Sequence, residues 1–322
     1  MVSVIVGSGG LKMINQSNDT GKTNELNKKM REISVEGCEL LGKGGNGAVY
    51  RLDDETIVKV YFGERNSPEK IRQNRETTRN AFVQGVPTMI AFDMVRVGED
   101  YGVVYELINA RSFGQEIASN PDKTDEYANM IADMLIKLHN TEFRKDSLPD
   151  SRDRSKKDIL DTVNAGFYKP DEAERLYKLI DAIPYRNTFI HQDFHPGNLM
   201  LQNGEIMLID VDDSGLGHPI LDLAAMYLVY VTAAKASWKT TELGITKKQY
   251  ARIWDIIVKK YFNTNAPDEI AEINRIINGY SMIKFIRGVA TSPSVPNILR
   301  KPIVNRSKKK LLSIVDTLHP IP

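Results

Sequence analysis

Cysteine is almost missing from this chain: Cys38 is the only one in 322 residues. One thiol excludes an intrachain disulfide framework and a zinc site built from several cysteines. It suits a reducing cytoplasm, where a lone cysteine serves as a small core residue. No apolar run approaches the roughly 18–20 residues that a membrane span needs. The opening VSVIV is short and has no basic residues before it, so no secretory leader is expected. An excess of one charge is missing too. The 43 basic residues face 42 acidic ones, a net charge of +1, which points away from a nucleic-acid or membrane-surface binder. There is also no internal repeat and no low-complexity block.

The length suggests about two domains, each able to bury its own core. Residues 1–35 are rich in Gly, Ser, Asn and Lys and read as a poorly ordered extension or a peripheral helix. Residues 36–108 read as strands: CELLG and AVYRL flank a glycine loop, TIVKVYF alternates, and YGVVYELI is β-branched and aromatic. One helix, about 68–83 with Pro68 at its start, interrupts them. Residues 109–322 read as mainly helical. EYANMIADMLIKLHN has apolar residues at helical spacing, and further helices are expected at 171–182, 222–234, 247–262, 268–287 and 307–317. The expected class is α+β. A small antiparallel-sheet N-terminal lobe precedes a larger helical C-terminal lobe.

Two glycine motifs near the start are decoys. GSGGLK at 7–12 lacks the third glycine of a dinucleotide fingerprint, because Lys12 stands there. GKT at 21–23 lacks the first glycine of a phosphate loop, because Gln16 stands there.

The chemistry gathers elsewhere. LLGKGGNGAVYRL carries Gly42, Gly44 and Gly47 between two strand-like runs. Such a hairpin lets backbone approach phosphate closely, though a plain glycine-rich turn reads the same way. Lys59 lies in the apolar strand IVKVY, on the face of Ile57 and Tyr61. Its ammonium needs a partner or a route to solvent; a phosphate would serve, and so would an edge-strand position. Glu69 and Glu76 of the following helix are both candidates to pair with it. Glu76, deeper in the helix, is preferred.

The stretch HQDFHPGNLM, from His191 to Met200, packs hydrogen-bonding side chains around a Pro-Gly pair. After it, Asn203-Gly204 is a strong two-residue hairpin turn. Pairing about that turn sets Leu201 against Ile206, Leu199 against Leu208 and Asn198 against Ile209. Asn198 and Asp210 then emerge side by side at the open end. An amide oxygen and a carboxylate suit a hard cation such as Mg²⁺. Asp193, in the same loop, is placed to accept a proton from a substrate hydroxyl. A polar loop capping its own turns is the plainer alternative.

Taken together, and in this order, these residues resemble the protein-kinase-like superfamily, in its aminoglycoside phosphotransferase and choline kinase branch. That branch's catalytic loop runs approximately H-G-D-x-x-x-x-N; here it is His191, Gln192, Asp193 through Asn198. Gln192 departs from the usual glycine. The resemblance covers roughly residues 38–225. It implies a bilobal kinase-like fold with a nucleotide-binding N-lobe and hinge at 36–108. It implies Asp193 as catalytic base, Asn198 and Asp210 as Mg²⁺ ligands, and Lys59 on the α- and β-phosphates of ATP. The YELI stretch, with Glu106 and Ile108, becomes the hinge that binds adenine. His191 and Asp222 become structural braces of the loop.

The reaction expected is transfer of the ATP γ-phosphate, with Mg²⁺, to a hydroxyl of a small molecule: an aminosugar, an amino alcohol or a sugar. A protein serine/threonine kinase is the alternative, and a non-catalytic nucleotide-binding protein is the other. Against the protein kinase, only seven residues separate Asp210 from His218, leaving little room for an activation segment. Neither nucleic acid nor membrane is an expected partner, and oligomeric state is open. Asp212, Asp213 and Asp222 follow the metal position closely, so a carboxylate-lined entrance favouring a cationic acceptor is expected.

Overall fold

A computed structural model describes residues 2–7, 10–15, 30–45, 47–234 and 243–321. The chain divides into two compact units, one of Met1–Glu76 with Ile90–Leu107, the other of Thr77–Met89 with Ile108–Pro322. In the N-terminal extension, β1 (Val2–Gly7) and β2 (Gly10–Asn15) pair as an antiparallel hairpin with Gly7 opposite Gly10. Over those residues the extension is strand rather than the peripheral helix expected. Gly7 and Gly10 are paired strand ends, and Gly10 leads into a strand rather than a helix. The GKT motif at 21–23 lies outside the described residues.

The first unit is built on a six-stranded sheet. Its strands are β3 (Arg31–Glu32), β4 (Leu40–Gly44), β5 (Gly47–Arg51), β6 (Thr56–Tyr61), β7 (Ala91–Val97) and β8 (Asp100–Glu106). The order is β3-β7-β8-β6-β5-β4, antiparallel except for the β3–β7 pair. The alternation read in TIVKVY holds. Val58 and Val60 enter an apolar cluster with Val95 and Val104, while Ile57, Lys59 and Tyr61 take the other face. On that face the Tyr61 and Tyr105 hydroxyls lie 3.0 Å apart and are buried. Helix α1 (Pro68–Val83) starts in this unit with Pro68 at its first turn.

The second unit is mainly helical: α2 (Phe113–Ser119), α3 (Thr124–Asn140), α4 (Ser151–Asn164), α5 (Pro170–Asp181), α6 (Ile220–Tyr227), α7 (Lys247–Tyr261), α8 (Pro267–Thr291) and α9 (Asn297–Ile314). Short polar side chains begin several of them. Asp150 accepts from the Arg152 N–H at 2.9 Å, and Thr246 and Gln249 form a reciprocal capping box. Buried apolar faces of α3, α7 and α8 share one core, which includes Ile131, Leu135, Ile253, Ile257, Ile277 and Ile283.

Three differences from the sequence reading have physical causes. The helix expected at 222–234 is α6 followed by a π-turn over Leu228–Ala233. The helix expected at 307–317 begins earlier, at Asn297, and runs through Pro302. The carbonyl that Pro302 leaves without a donor belongs to Ile298, which is 82% exposed, so water serves it. α4 gave no apolar period because its buried positions include Ser151, Asp158 and Thr162.

Candidate active site

The HQDFHPGN loop lies wholly in the second unit, where two small pieces of sheet hold its ends. β10 (Phe189–Ile190) pairs with β13 (Gly215–Leu216), and β11 (Leu199–Gln202) pairs with β12 (Glu205–Leu208) and with β9 (Arg111–Ser112). The register has Leu199 opposite Leu208 and Leu201 opposite Ile206, as the Asn-Gly turn dictates. Asn203 and Gly204 both take positive φ, 52° and 85°. The Ile209 N–H donates to the Asn198 carbonyl at 3.0 Å. Asp210 therefore follows directly on the residue facing Asn198.

Asp222, in the first turn of α6, is fully buried beneath the loop. Its carboxylate accepts the backbone N–H groups of His191 at 2.9 Å and Gln192 at 2.5 Å. The Nε2 of His139, from α3, lies 3.1 Å away, and the Tyr261 hydroxyl holds the other ring nitrogen at 2.8 Å. Burial opposes charge on Asp222, but the His139 contact and the loop donors prevail, and its proton affinity falls below the ordinary range. The grip explains how Gln192, where the family pattern has glycine, is held at φ 65°. That left-handed conformation costs a non-glycine residue roughly 1–2 kcal/mol. His191, also fully buried, ties the loop to the strand end before Asp210: its Nδ1 accepts from the Asp193 N–H at 3.3 Å and its Nε2 faces the Ile209 carbonyl at 3.2 Å.

Asp193 itself is half exposed, and donors surround both of its oxygens. The Asn198 amide lies 3.3 Å from Oδ2 and also donates to the Asp193 carbonyl at 3.0 Å. His195 Nε2 is 3.6 Å from Oδ2, and Lys284 Nζ is 3.5 Å from Oδ1. The Gly197 N–H donates to His195 Nδ1 at 3.0 Å, so the proton of that ring sits on Nε2, toward the carboxylate. Partial burial raises the proton affinity of Asp193. The His195 hydrogen bond and the Lys284 ammonium outweigh it and hold the carboxyl well below the usual carboxylate range. At neutral pH the loop presents an ionised, reachable proton acceptor.

A divalent cation fits the next pair of residues. With its Nδ2 turned to Asp193, Asn198 has Oδ1 as its remaining acceptor, and Asp210 presents an exposed carboxylate from a left-handed turn at φ 57°. Among the described residues no group of three or more His, Cys, Asp or Glu gathers to hold a metal. One amide oxygen and one carboxylate suit an ion that keeps waters and phosphate oxygens as its other ligands, the habit of Mg²⁺. Asp212 and Asp213 take other places. Asp212 is buried, and Asp213 is 2.7 Å from Arg154 of α4. With Asp222 buried under the loop, the expected carboxylate-lined entrance for a cationic acceptor loses the members that defined it.

In the first unit, the candidate phosphate-holding residues sort by environment. Among the described residues, a side-chain carbon at Gly42 or Gly44 would meet nothing within 4 Å, whereas one at Gly47 would overlap the Val60 carbonyl oxygen. Gly47 is therefore required by the β5–β6 pairing, and Gly42 and Gly44 are not required by local packing. The Lys59 ammonium sits 5.0 Å over the Tyr61 ring. On α1, Ile71, Asn74 and Thr78 are buried, while Glu69 and Glu76 lie on the exposed side. In the YELI stretch, the Glu106 N–H donates to the Ile90 carbonyl at 3.0 Å and the Leu107 N–H to the Glu55 carbonyl at 2.7 Å. Those two donors are thus used within the unit. Ile108 begins the second unit's share of the chain.

Three groups escape sequence reading. His195 was in view, inside the loop, but its aim at Asp193 depends on the Gly197 contact. Lys284 is 91 residues from Asp193 and carries no local signal. A charged network beside the loop joins α4 to α8. In it Asp158, 5% exposed, has Arg154 at 3.8 Å and Arg287 at 3.6 Å, while Asp161 has Lys157 at 3.0 Å and Arg287 at 3.2 Å.

Solved structures share this fold. A crystal structure of ADP-bound aminoglycoside phosphotransferase APH(2'')-Ib superposes with a TM-score of 0.51 at 17% identity, covering 92% of this chain and 97% of that one. The GDP and kanamycin complex of APH(2'')-IIIa gives 0.52 at 12% identity, over 92% and 98%. A choline/ethanolamine kinase family protein from Mesorhizobium loti gives 0.50 at 14% identity, over 86% and 87%. No curated protein matches the sequence. Residues 37–253, two thirds of the chain and all of the loop geometry above except Lys284, Arg287 and Tyr261, match the phosphotransferase enzyme family known as APH, and the chain belongs to that family.

Proposed function

We propose that the protein transfers the γ-phosphate of ATP to a hydroxyl of a small molecule: a sugar, an aminosugar or an amino alcohol. The observation that carries this reading is Asp193, kept ionised and reachable by His195, Lys284 and Asn198 on a loop that Asp222 holds rigid. Asp193 takes the proton of the acceptor hydroxyl. The oxygen so freed bonds to the γ-phosphorus as the bond from that phosphorus to the β,γ-bridging oxygen breaks, and ADP departs with that oxygen. Lys59 and the backbone around Gly42 and Gly44 hold the phosphates, and Gly47 shapes that hairpin. Asn198 and Asp210 would hold Mg²⁺, which supplies charge neutralisation on the β- and γ-phosphate oxygens when bound. His191 and Asp222 act by bracing the loop. Glu76 and Glu69 remain alternative partners of Lys59, with Glu106 and Ile108 lining the adenine side.

A protein substrate is disfavoured by the chain after Asp210. A single 3-10 turn, Val211–Asp213, leads straight to β13 and α6, with no span for a phosphorylated activation segment. The test is ADP release with and without Mg²⁺ across a panel of sugars, aminosugars, amino alcohols and a generic protein substrate. The reading expects Mg²⁺-dependent turnover with at least one small hydroxylated acceptor and none with the protein. It expects Asp210→Ala to abolish that turnover, because a site with one carboxylate cannot spare it. Mg²⁺-independent turnover, or phosphorylation of the protein alone, overturns it.

A further inference from the structure

Lys284 stands on α8, outside the 37–253 stretch that matches the family. Its ammonium donates to the Gln192 carbonyl at 2.6 Å and lies 3.5 Å from Asp193 Oδ1. An ammonium has three N–H donors, and among the described residues these two oxygens are its hydrogen-bonding partners. The side chain is 33% exposed, so the third donor is within reach of a ligand. Asp158 also attracts the ammonium, but the nearby carboxylates have closer cationic partners. Asp158, Asp161 and Asp213 are already engaged by Arg154, Lys157 and Arg287.

An acceptor hydroxyl that gives its proton to Asp193 must come within about 2.8 Å of a carboxylate oxygen. That puts it within about 6 Å of the Lys284 nitrogen if it approaches Oδ1, so a substituent on the neighbouring carbon falls within hydrogen-bonding reach. An oxygen there, neutral or anionic, accepts from the ammonium. A protonated amine there meets a like charge and offers no lone pair.

We propose that Lys284 is a specificity-determining residue that binds an oxygen on the carbon adjacent to the phosphorylated hydroxyl, so that the acceptor is a vicinal polyol or a hydroxy acid rather than a vicinal amino alcohol. This rests on Asp193 being the base, and it narrows the acceptor class given above. Lys284 also keeps the catalytic loop in place through the Gln192 carbonyl. The two roles separate experimentally, because only acceptor recognition distinguishes oxygen from nitrogen on the neighbouring carbon.

The test uses the full chain with Mg-ATP and two matched acceptor series. One is glycerol, 1,3-propanediol and 2-amino-1,3-propanediol; the other is ethylene glycol, ethanol, ethanolamine and glycolate. Wild type is expected to favour each oxygen-flanked member over its amine-flanked counterpart at least tenfold in kcat/KM. Glycolate against ethylene glycol tells an anionic from a neutral oxygen. Lys284→Met is expected to cut that preference below threefold, by raising KM for oxygen-flanked acceptors while KM for Mg-ATP stays unchanged. Lys284→Arg, which keeps the charge and the donors, is expected to retain most of the preference. Turnover that favours the amines overturns the inference and leaves the phosphotransferase reading standing. So does an equal loss of kcat in Lys284→Met across all acceptors, which would make Lys284 a loop clamp only. A rise confined to the Mg-ATP KM would assign it to the transferred phosphate and overturn it too. No transfer to either series sinks it as well, with the acceptor panel above judging the function separately.

Discussion

Replacing Asp222 by alanine removes one carboxylate and strands three buried donors. The His191 N–H, the Gln192 N–H and the His139 ring lose the oxygens they face at 2.9, 2.5 and 3.1 Å. Leaving a buried donor unpaired costs about 1–3 kcal/mol, and the three share one acceptor, so their costs do not add in full. Breaking such a buried charged contact amounts to about 3–5 kcal/mol in all. For a folding unit of 150–250 residues this lowers Tm by roughly 6–20 °C. Asp222→Asn keeps one acceptor oxygen and places an NH₂ where the second stood, so its loss is intermediate. The assay is thermal melting followed by circular dichroism at pH 7. The loss should be accompanied by a fall in turnover, because Gln192 is then free to leave its left-handed conformation and carry Asp193 with it. A Tm within about 2 °C of wild type for Asp222→Ala would refute the claim that this carboxylate holds the loop.

Two further predictions concern stability. His218 is buried, its Nδ1 accepts the Ile220 N–H at 3.1 Å, and burial, helped by Arg186 and His139, pushes its pKa down to about 4. The unfolded chain therefore binds the proton first as pH falls. Stability from neutral His218 is fully present above about 6.5 and drains between 6.5 and about 4, by up to roughly 3 kcal/mol. Urea midpoints against pH should show this slope in wild type and a shallower one in His218→Asn; identical slopes contradict it. In the glycine hairpin, Gly47→Ala should destabilise by about 1–3 kcal/mol through overlap with the Val60 carbonyl. Gly44→Ala should leave Tm unchanged, so any kinetic loss it causes reports on nucleotide, and equal Tm losses for the two would refute the distinction.

Much of this molecule was legible because local rules and tertiary structure agree. Asn203-Gly204 dictated a hairpin whose register fixed which residue faces Asn198, and strand alternation placed Lys59 with Tyr61 rather than with Val58 and Val60. The N-terminal hairpin and α4 were not legible, for opposite reasons. Gly7 read as the start of a nucleotide motif, whereas in the fold it is a strand end paired with Gly10. In α4 the buried stripe is mostly polar, with Ser151, Asp158 and Thr162 beside Ile159, and its Asp158 is matched by Arg287 from more than a hundred residues away. Charge pairing of that kind leaves no periodic trace. It also misled the reading of the acceptor, since Asp213 looked available in the sequence and is engaged by Arg154 in the fold. Lys284 beside Asp193 is the same effect at the centre of the site.

The central claim is that Asp193 takes the acceptor proton, and Asp193→Asn tests it most directly. The substitution keeps the size of the side chain and removes its basicity. With Mg-ATP affinity measured by titration calorimetry and turnover measured on the best acceptor, binding should stay within about threefold of wild type. Turnover should fall by about 10²–10⁴-fold. Near-normal turnover in Asp193→Asn, with the protein folded and nucleotide bound, would contradict the account.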